Sequence, residues 1–253
     1  MKRKTSSAFT LIELLIVIAI IAILASFALP AFLGVQERAK QTKDLSNGKQ
    51  VALSLRQFAI DNNGEFPNKV YGTGVVTPGD YASSITKLGA GNTSNDAFRW
   101  LLPTYTRSEQ IFVVPGSAWS PAADDVLDAS YGTVATPGTL AAGENGFAYI
   151  TNLTDTSNST YPLLCDAWIG QANAGITYST TKSAQGGVWG GTKAVVIFVD
   201  GSGQVMKVND TVNTAILRPG RAYNEFSNAN NVAADPWLDN ALPATTNYQL
   251  NPL

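Results

Sequence analysis

The chain has 253 residues, room for one globular domain plus an anchor. Its formal charge is −2, and because three positive charges sit in the leader at Lys2, Arg3 and Lys4, the remainder is more acidic still, which argues against a nucleic-acid-binding surface. Histidine is absent and Cys165 stands alone, so His-based triads, the usual zinc sites and an intramolecular disulfide framework are excluded, and any general acid or base has to be a carboxylate, Lys, Tyr or Cys165.

From Phe9 to Leu29 the sequence FTLIELLIVIAIIAILASFAL is apolar except for Thr10, Glu13 and Ser26. A bilayer-spanning helix takes about 20 apolar residues at ~1.5 Å each, and this run meets that length. The basic leader ahead of it predicts a cytoplasmic N-terminus, so the rest of the chain is expected on the far side of the inner membrane in a single-pass topology. A simple signal anchor satisfies the same facts, as does a signal peptide cut after Ser26-Phe27-Ala28.

The local order of residues is more particular: a basic leader, Ala8, then Phe9-Thr10-Leu11-Ile12-Glu13, then uninterrupted aliphatics. Here the chain resembles the type IV pilin and type II secretion pseudopilin family, with Ala8 where the family usually has Gly. The resemblance implies cleavage by a prepilin peptidase between Ala8 and Phe9, N-methylation of Phe9, and an assembly role for Glu13 at the fifth mature position. A carboxylate in a membrane helix costs about 2.5–3.5 kcal/mol at the bilayer centre and less near the interface. The family implies a partner for it, the Phe9 amine of a neighbouring subunit; the plainer expectation is a glutamate reaching to the cytoplasmic headgroups.

Pro30 should kink or loosen the helix without having to end it. Beyond it, charged residues alternate with Leu45, Ala52, Leu55 and Ala59 at three- and four-residue spacing, predicting an amphipathic continuation packed on a globular domain. Asp61-Asn62-Asn63-Gly64 supplies the stop. Glu65-Phe66-Pro67 resembles the extended turn that pseudopilins place after their long helix. Ser94 to Thr104 reads as one short helix capped by Ser94.

Three β signals follow: Gly146–Leu153, Tyr161–Trp168 and Lys193–Val208, the last folding back at Asp200-Gly201-Ser202-Gly203. Val195, Ile197 and Val199 alternate with Val196 and Phe198, so both faces are apolar and an interior strand is expected. The Asp-Gly pair also resembles the carboxy-terminal signature of pilin-like proteins from planctomycete and verrucomicrobial genomes, although Gly190 stands where that signature has its histidine.

The expected fold is thus α+β and pilin-like: a long N-terminal transmembrane and amphipathic helix packed on a C-terminal domain with an antiparallel sheet. The expected segments are a leader over 1–8, a membrane and polymerisation helix over 9–29, its amphipathic continuation over 30–63, a β-rich domain over 64–224 and an irregular tail over 225–253.

Catalytic patterns are thin. Ser84–Lys87 and Ser179–Lys182 fit S-x-x-K without its companion motifs. Cys165 reads as a buried thiol in an apolar strand. Asp124, Asp125 and Asp128 could bind calcium, against the plainer expectation of a solvated loop or the start of a helical turn; Asp200-Gly201-Ser202-Gly203 reads better as a hairpin turn than as a calcium loop, and no other cofactor is expected. The expected function is therefore a non-enzymatic structural subunit that self-assembles into a filament, with a prepilin peptidase, an inner-membrane platform protein and an assembly ATPase as the partners the resemblance implies. Two alternatives are a membrane-tethered or secreted carbohydrate-binding or hydrolytic domain using the five tryptophans and the carboxylates, and a minor tip subunit that recognises secreted cargo.

Overall fold

The computed structural model describes residues 9–69, 81, 87–88, 92–121, 123–125, 140, 142–169, 178–208, 249–250 and 252. The chain divides into two units, residues 1–40 and 41–253.

In the first unit, helix α1 begins; it runs over Leu11–Asp61 and contains Pro30 without a break in its helical assignment. Proline lacks the N–H that would meet the Ser26 carbonyl one turn back, a loss that membrane helices tolerate when local groups readjust. Nearby, the Ser26 hydroxyl donates to the Ile23 carbonyl at 2.7 Å. Phe9 and every aliphatic from Leu11 to Leu33 are exposed. An apolar surface of that extent is not stable in water and needs a lipid or protein cover.

In the second unit the remaining turns of α1 bury Asp44, Asn47, Gly48, Val51, Ala52, Leu55, Phe58 and Ala59. The expected stripe is present at Ala52, Leu55 and Ala59, with Leu45 half-buried at its start. It differs in one respect: its first turns are polar, and Asp44, grouped with the solvent-facing charges on sequence grounds, is 0% exposed. The helix ends where expected. Asn63 and Gly64 take left-handed backbone angles, Gly64 N–H donates to the Ala59 carbonyl at 2.8 Å, and the Asn62 amide donates to the Phe58 carbonyl at 2.8 Å.

The following turn is fastened to the sheet domain. Glu65 bridges Thr154, and Asp155 N–H donates to the Gly64 carbonyl at 2.9 Å. Phe58, Tyr81 and Trp100 stack edge to face, with ring centroids 4.8 and 5.0 Å apart.

Helix α2 spans Ser94–Phe98 and tightens into a 3-10 turn over Arg99–Leu101. Its cap is Thr93, not Ser94: Thr93 and Asp96 form a reciprocal capping box, with Asp96 Oδ2 accepting from the Thr93 amide at 2.9 Å. Ser94 instead points inward, its hydroxyl donating to the Phe147 carbonyl at 2.7 Å. A second 3-10 turn covers Glu109–Phe112.

Among the described residues five strands form one antiparallel sheet: β1 Phe147–Ile150, β2 Pro162–Asp166, β3 Lys193–Phe198, β4 Gly203–Lys207 and β5 Gln249–Leu250, in the order β4-β3-β2-β1-β5. The three predicted β regions supply the first four. Strand β5 is a correction to the irregular tail, because its pairing with β1, Tyr149 opposite Leu250, is too distant in sequence to be legible locally. The expectation for 225–248 lies outside the described residues. Strand β3 is interior, paired on both sides, with Ala194 to Phe198 all buried. The β3–β4 turn places Gly201 at φ 78°, and Ser202 N–H donates to Asp200 Oδ1 at 2.7 Å.

The turns of α1 from residue 41 onward pack within this sheet domain. Arg56 donates through Nε and Nη2 to the Val199 carbonyl at 3.1 and 2.7 Å. Gly48 lets the helix backbone come close to β3, since a Cβ there would lie 2.8 Å from Ile197 Cγ1.

Candidate functional site

The start of α1 is the first candidate. Phe9 is exposed, and Ala8 lies outside the described residues. Thr10 and Glu13 close on each other: Glu13 Oε2 accepts from the Thr10 amide and from the Thr10 hydroxyl, each at 2.9 Å, while Glu13 N–H donates to Thr10 Oγ1 at 3.3 Å. This is a capping box of the form T-x-x-E, which satisfies two of the orphan donors of a helix N-terminus. The expectations from sequence placed Glu13 against a neighbouring subunit or the cytoplasmic headgroups; the T-x-x-E spacing, visible in the sequence, gives the glutamate a local partner as well. The helix it opens is long and apolar enough to cross a membrane by length and composition.

The acidic residues are arranged by tertiary packing. Asp125 caps the second 3-10 turn, its Oδ1 accepting from the Glu109 amide at 3.0 Å and from the Ser108 hydroxyl at 3.2 Å. Asp124 is grouped with Glu109 and Glu144, one oxygen of each lying within 4.8 Å of the others. Asp128 lies outside the described residues. Burial and the charges of Glu144, Asp124 and Asp125 push the Glu109 carboxyl up to about 7, against the lowering effect of its bond from the Leu140 amide.

A second carboxylate pair is buried between α1 and the sheet. Asp166 is 1% exposed, and its Oδ2 accepts from Trp189 Nε1 at 2.7 Å and from Val195 N–H at 2.8 Å. Both oxygens of Asp44 and Oδ1 of Asp166 have no donor from any other described group. Burial, and then the facing Asp166 charge, push Asp44 well up, and burial pushes Asp166 up to about 6 while its hydrogen bonds hold it back. A proton on Asp44, donated to Asp166, reconciles these facts. The sequence carries no signal for the pair, since the two aspartates are far apart in the chain and neither sits in a motif.

The remaining chemical candidates are packing or turn residues. Ser179 Oγ accepts from Thr181 N–H at 3.0 Å, a local turn, and Lys182 is exposed; Ser84 lies outside the described residues. Cys165 is buried, with its thiol pushed well up by burial. Trp100, Trp168 and Trp189 belong to the interior, Trp119 is half-buried, and Trp237 lies outside the described residues. Gly190 takes φ 64° in a turn.

A membrane-length apolar helix opened by a Thr-Glu capping box, in a chain whose second unit is an α+β domain with an antiparallel sheet, has the architecture of prepilin-like proteins. A family model, the prokaryotic N-terminal methylation motif, matches residues 3–29. The type IV wide pilus major component PilA4 of Thermus thermophilus is 36% identical over 92 residues, covering 35% of this chain and 70% of that protein. The chain belongs to the type IV pilin and pseudopilin family. It is also 38% identical over 63 residues to the type II secretion system core protein G of Aeromonas hydrophila, covering 25% of this chain and 44% of that one. With the type IV major pilin protein PilA of Myxococcus xanthus it shares 42% over 64 residues, or 24% and 29%. The chain thus spans less than half the length of these two relatives. No solved structure gives a match.

Proposed function

We propose that this protein is a structural filament subunit, made as a precursor, cut between Ala8 and Phe9 by a prepilin peptidase and N-methylated on Phe9. The observation that carries this is the Ala8-Phe9-Thr10-Leu11-Ile12-Glu13 order at the head of a helix whose apolar residues from Leu11 to Leu33 are all exposed, inside the segment matched by the methylation-motif model. Phe9 to Leu29 hold the subunit in the inner membrane with the leader cytoplasmic and the sheet domain extracytoplasmic. On extraction the same apolar surface becomes the contact between subunits, and Glu13 meets the Phe9 amine of its neighbour. Lipid offers no hydrophobic drive for helix association, so packing and this charge pairing select the register.

The filament is a type II secretion pseudopilus or a type IV pilus, assembled with a platform protein and an ATPase. Its work is structural and not enzymatic. The interior placement of Trp100, Trp168 and Trp189 disfavours the competing carbohydrate-binding surface. Mass spectrometry of the mature N-terminus tests the proposal: N-methyl-Phe9 is the expected terminus. Leu29 would indicate a signal peptide, and an intact leader a simple anchor.

A further inference from the structure

The loop between β1 and β2 carries the polar run Thr154-Asp155-Thr156-Ser157-Asn158-Ser159-Thr160, in which Asp155, Thr156, Asn158, Ser159 and Thr160 are exposed. Its base is fixed. Glu65 bridges Thr154, Thr154 N–H donates to Ser157 Oγ at 2.9 Å, and Tyr161 N–H donates to the Asn158 carbonyl at 3.0 Å. The Asn158 side chain is held by its oxygen: Oδ1 accepts from the Thr160 amide and from the Thr160 hydroxyl, each at 3.0 Å. Its Nδ2 donates to no described group. A side-chain turn of this kind is served by Asn or Asp alike. What Asn158 adds is a carboxamide nitrogen, and Thr160 adds a hydroxyl two positions on, which together make the glycan-acceptor triplet Asn-x-Ser/Thr.

The sequence contains that triplet four times, and folding separates the four. Asn92-Thr93-Ser94 ends on a buried serine whose hydroxyl is engaged by the Phe147 carbonyl. In Asn152-Leu153-Thr154 the central leucine is buried in the core and Thr154 is tied into the Glu65 bridge. Asn209-Asp210-Thr211 lies outside the described residues. Asn158-Ser159-Thr160 has all three members exposed.

We propose that Asn158 is an N-glycosylation site, taking an oligosaccharide from a lipid-diphosphate carrier on the extracytoplasmic face of the membrane. The inference rests on the placement of the sheet domain proposed above. Transfer forms a bond between the sugar C1 and Asn158 Nδ2 and breaks the bond between C1 and the diphosphate oxygen, which leaves with the electron pair. One Nδ2 proton passes to a base of the transferring enzyme. The two donors from Thr160 stabilise the negative charge that builds on Oδ1 as that proton leaves, and they occupy neither hydrogen of Nδ2.

The test is glycopeptide mass spectrometry on full-length protein purified from the cells that make it, with the peptide carrying residues 154–160 and the mature N-terminus read in the same digest. A sugar mass on that peptide is expected, located on Asn158 by electron-transfer fragmentation. It should be lost in Asn158→Gln and in Thr160→Val, and retained in Thr160→Ser, which keeps the hydroxyl. An unmodified peptide, a sugar on Thr156 or Ser159 that survives Asn158→Gln, or a sugar on Asn92 or Asn152 instead would overturn the proposal. N-methyl-Phe9 beside a bare Asn158 overturns the glycan and leaves the filament reading standing, whereas an intact leader beside a glycosylated Asn158 does the reverse.

Discussion

Asp44 on α1 and Asp166 on β2 face each other in the interior, where a proton on Asp44 would serve both carboxyls. Three of their four oxygens have no other donor among the described residues, and burial is the first cause of the upward shift in both. A carboxyl with a raised folded-state pKa holds its proton more tightly in the folded than in the unfolded chain. Its stability contribution is therefore complete below the ordinary carboxylate range and is lost as pH rises through the folded value. For this pair the loss begins in the ordinary aspartate range and passes through about 6 for Asp166, while burial pushes Asp44 well above that ordinary range as well.

Asn at position 44 supplies the donor at every pH. Asp44→Asn is expected to flatten the alkaline decline and to stabilise the protein at pH 8 by about 1.5–3 kcal/mol, the range for a hydrogen bond to a charged group. Thermal unfolding in detergent from pH 5 to 9 checks it; a variant whose stability falls with pH as steeply as wild type would refute the shared proton.

Thr10 and Glu13 separate two roles for one carboxylate. Glu13→Gln keeps the T-x-x-E/Q cap but removes the charge, whereas Thr10→Val removes the hydroxyl and leaves the charge. Loss of the cap costs about 0.5–2 kcal/mol of local helix stability. If charge pairing drives assembly, Glu13→Gln and Glu13→Ala remain in the membrane and yield few filaments, while Thr10→Val assembles. Sheared-filament yield against membrane content reads the difference, and equal defects in Thr10→Val and Glu13→Gln would assign Glu13 to capping.

Gly48 sets the distance between α1 and β3. Alanine would gain about 1 kcal/mol in helix propensity, but its Cβ would press on Ile197 Cγ1 at 2.8 Å, and overpacking costs about 1–3 kcal/mol. Gly48→Ala is expected to lower Tm, and Ile197→Ala in the same chain to cost less than it does alone. Additive melts of the two variants would show that the helix shifts freely.

Asn145 is a buried polar hub. Its Nδ2 donates to Ser94 Oγ, Asn95 Oδ1 and the Phe147 carbonyl, and its Oδ1 accepts from Phe147 N–H. Asn145→Ala strands these groups, at a cost of about 1–3 kcal/mol for each buried group left unpaired. A melt unchanged within error would mean that water replaces the side chain.

Helices α1 and α2 and strands β1 to β4 are local properties, and local patterns predicted them, whereas β5 and the 109–112 turn carried no such pattern. The membrane-length apolar run, the Asn-Gly stop at 62–64, the two-sided apolar pattern of β3 and the Asp-Gly turn at 200–201 each depend on residues a few positions apart. The N-terminal motif, Ala8 to Glu13, was legible for the same reason, and the family match rests on that end of the chain. The Thr10–Glu13 cap is equally local, since the T-x-x-E spacing gives the carboxylate a partner within its own helix.

What only the tertiary structure decided is where the charges went. Asp44 looked like one more solvent-facing residue on an amphipathic helix, and Asp124 and Asp125 like members of one acidic run. Chain folding buried Asp44 against Asp166, turned Asp125 into a helix cap, and brought Glu109 and Glu144 to Asp124. Hydrophobic periodicity specifies which face of an element is covered, but a buried polar group is specified by its partner. Here the partners come from segments that sequence spacing does not connect.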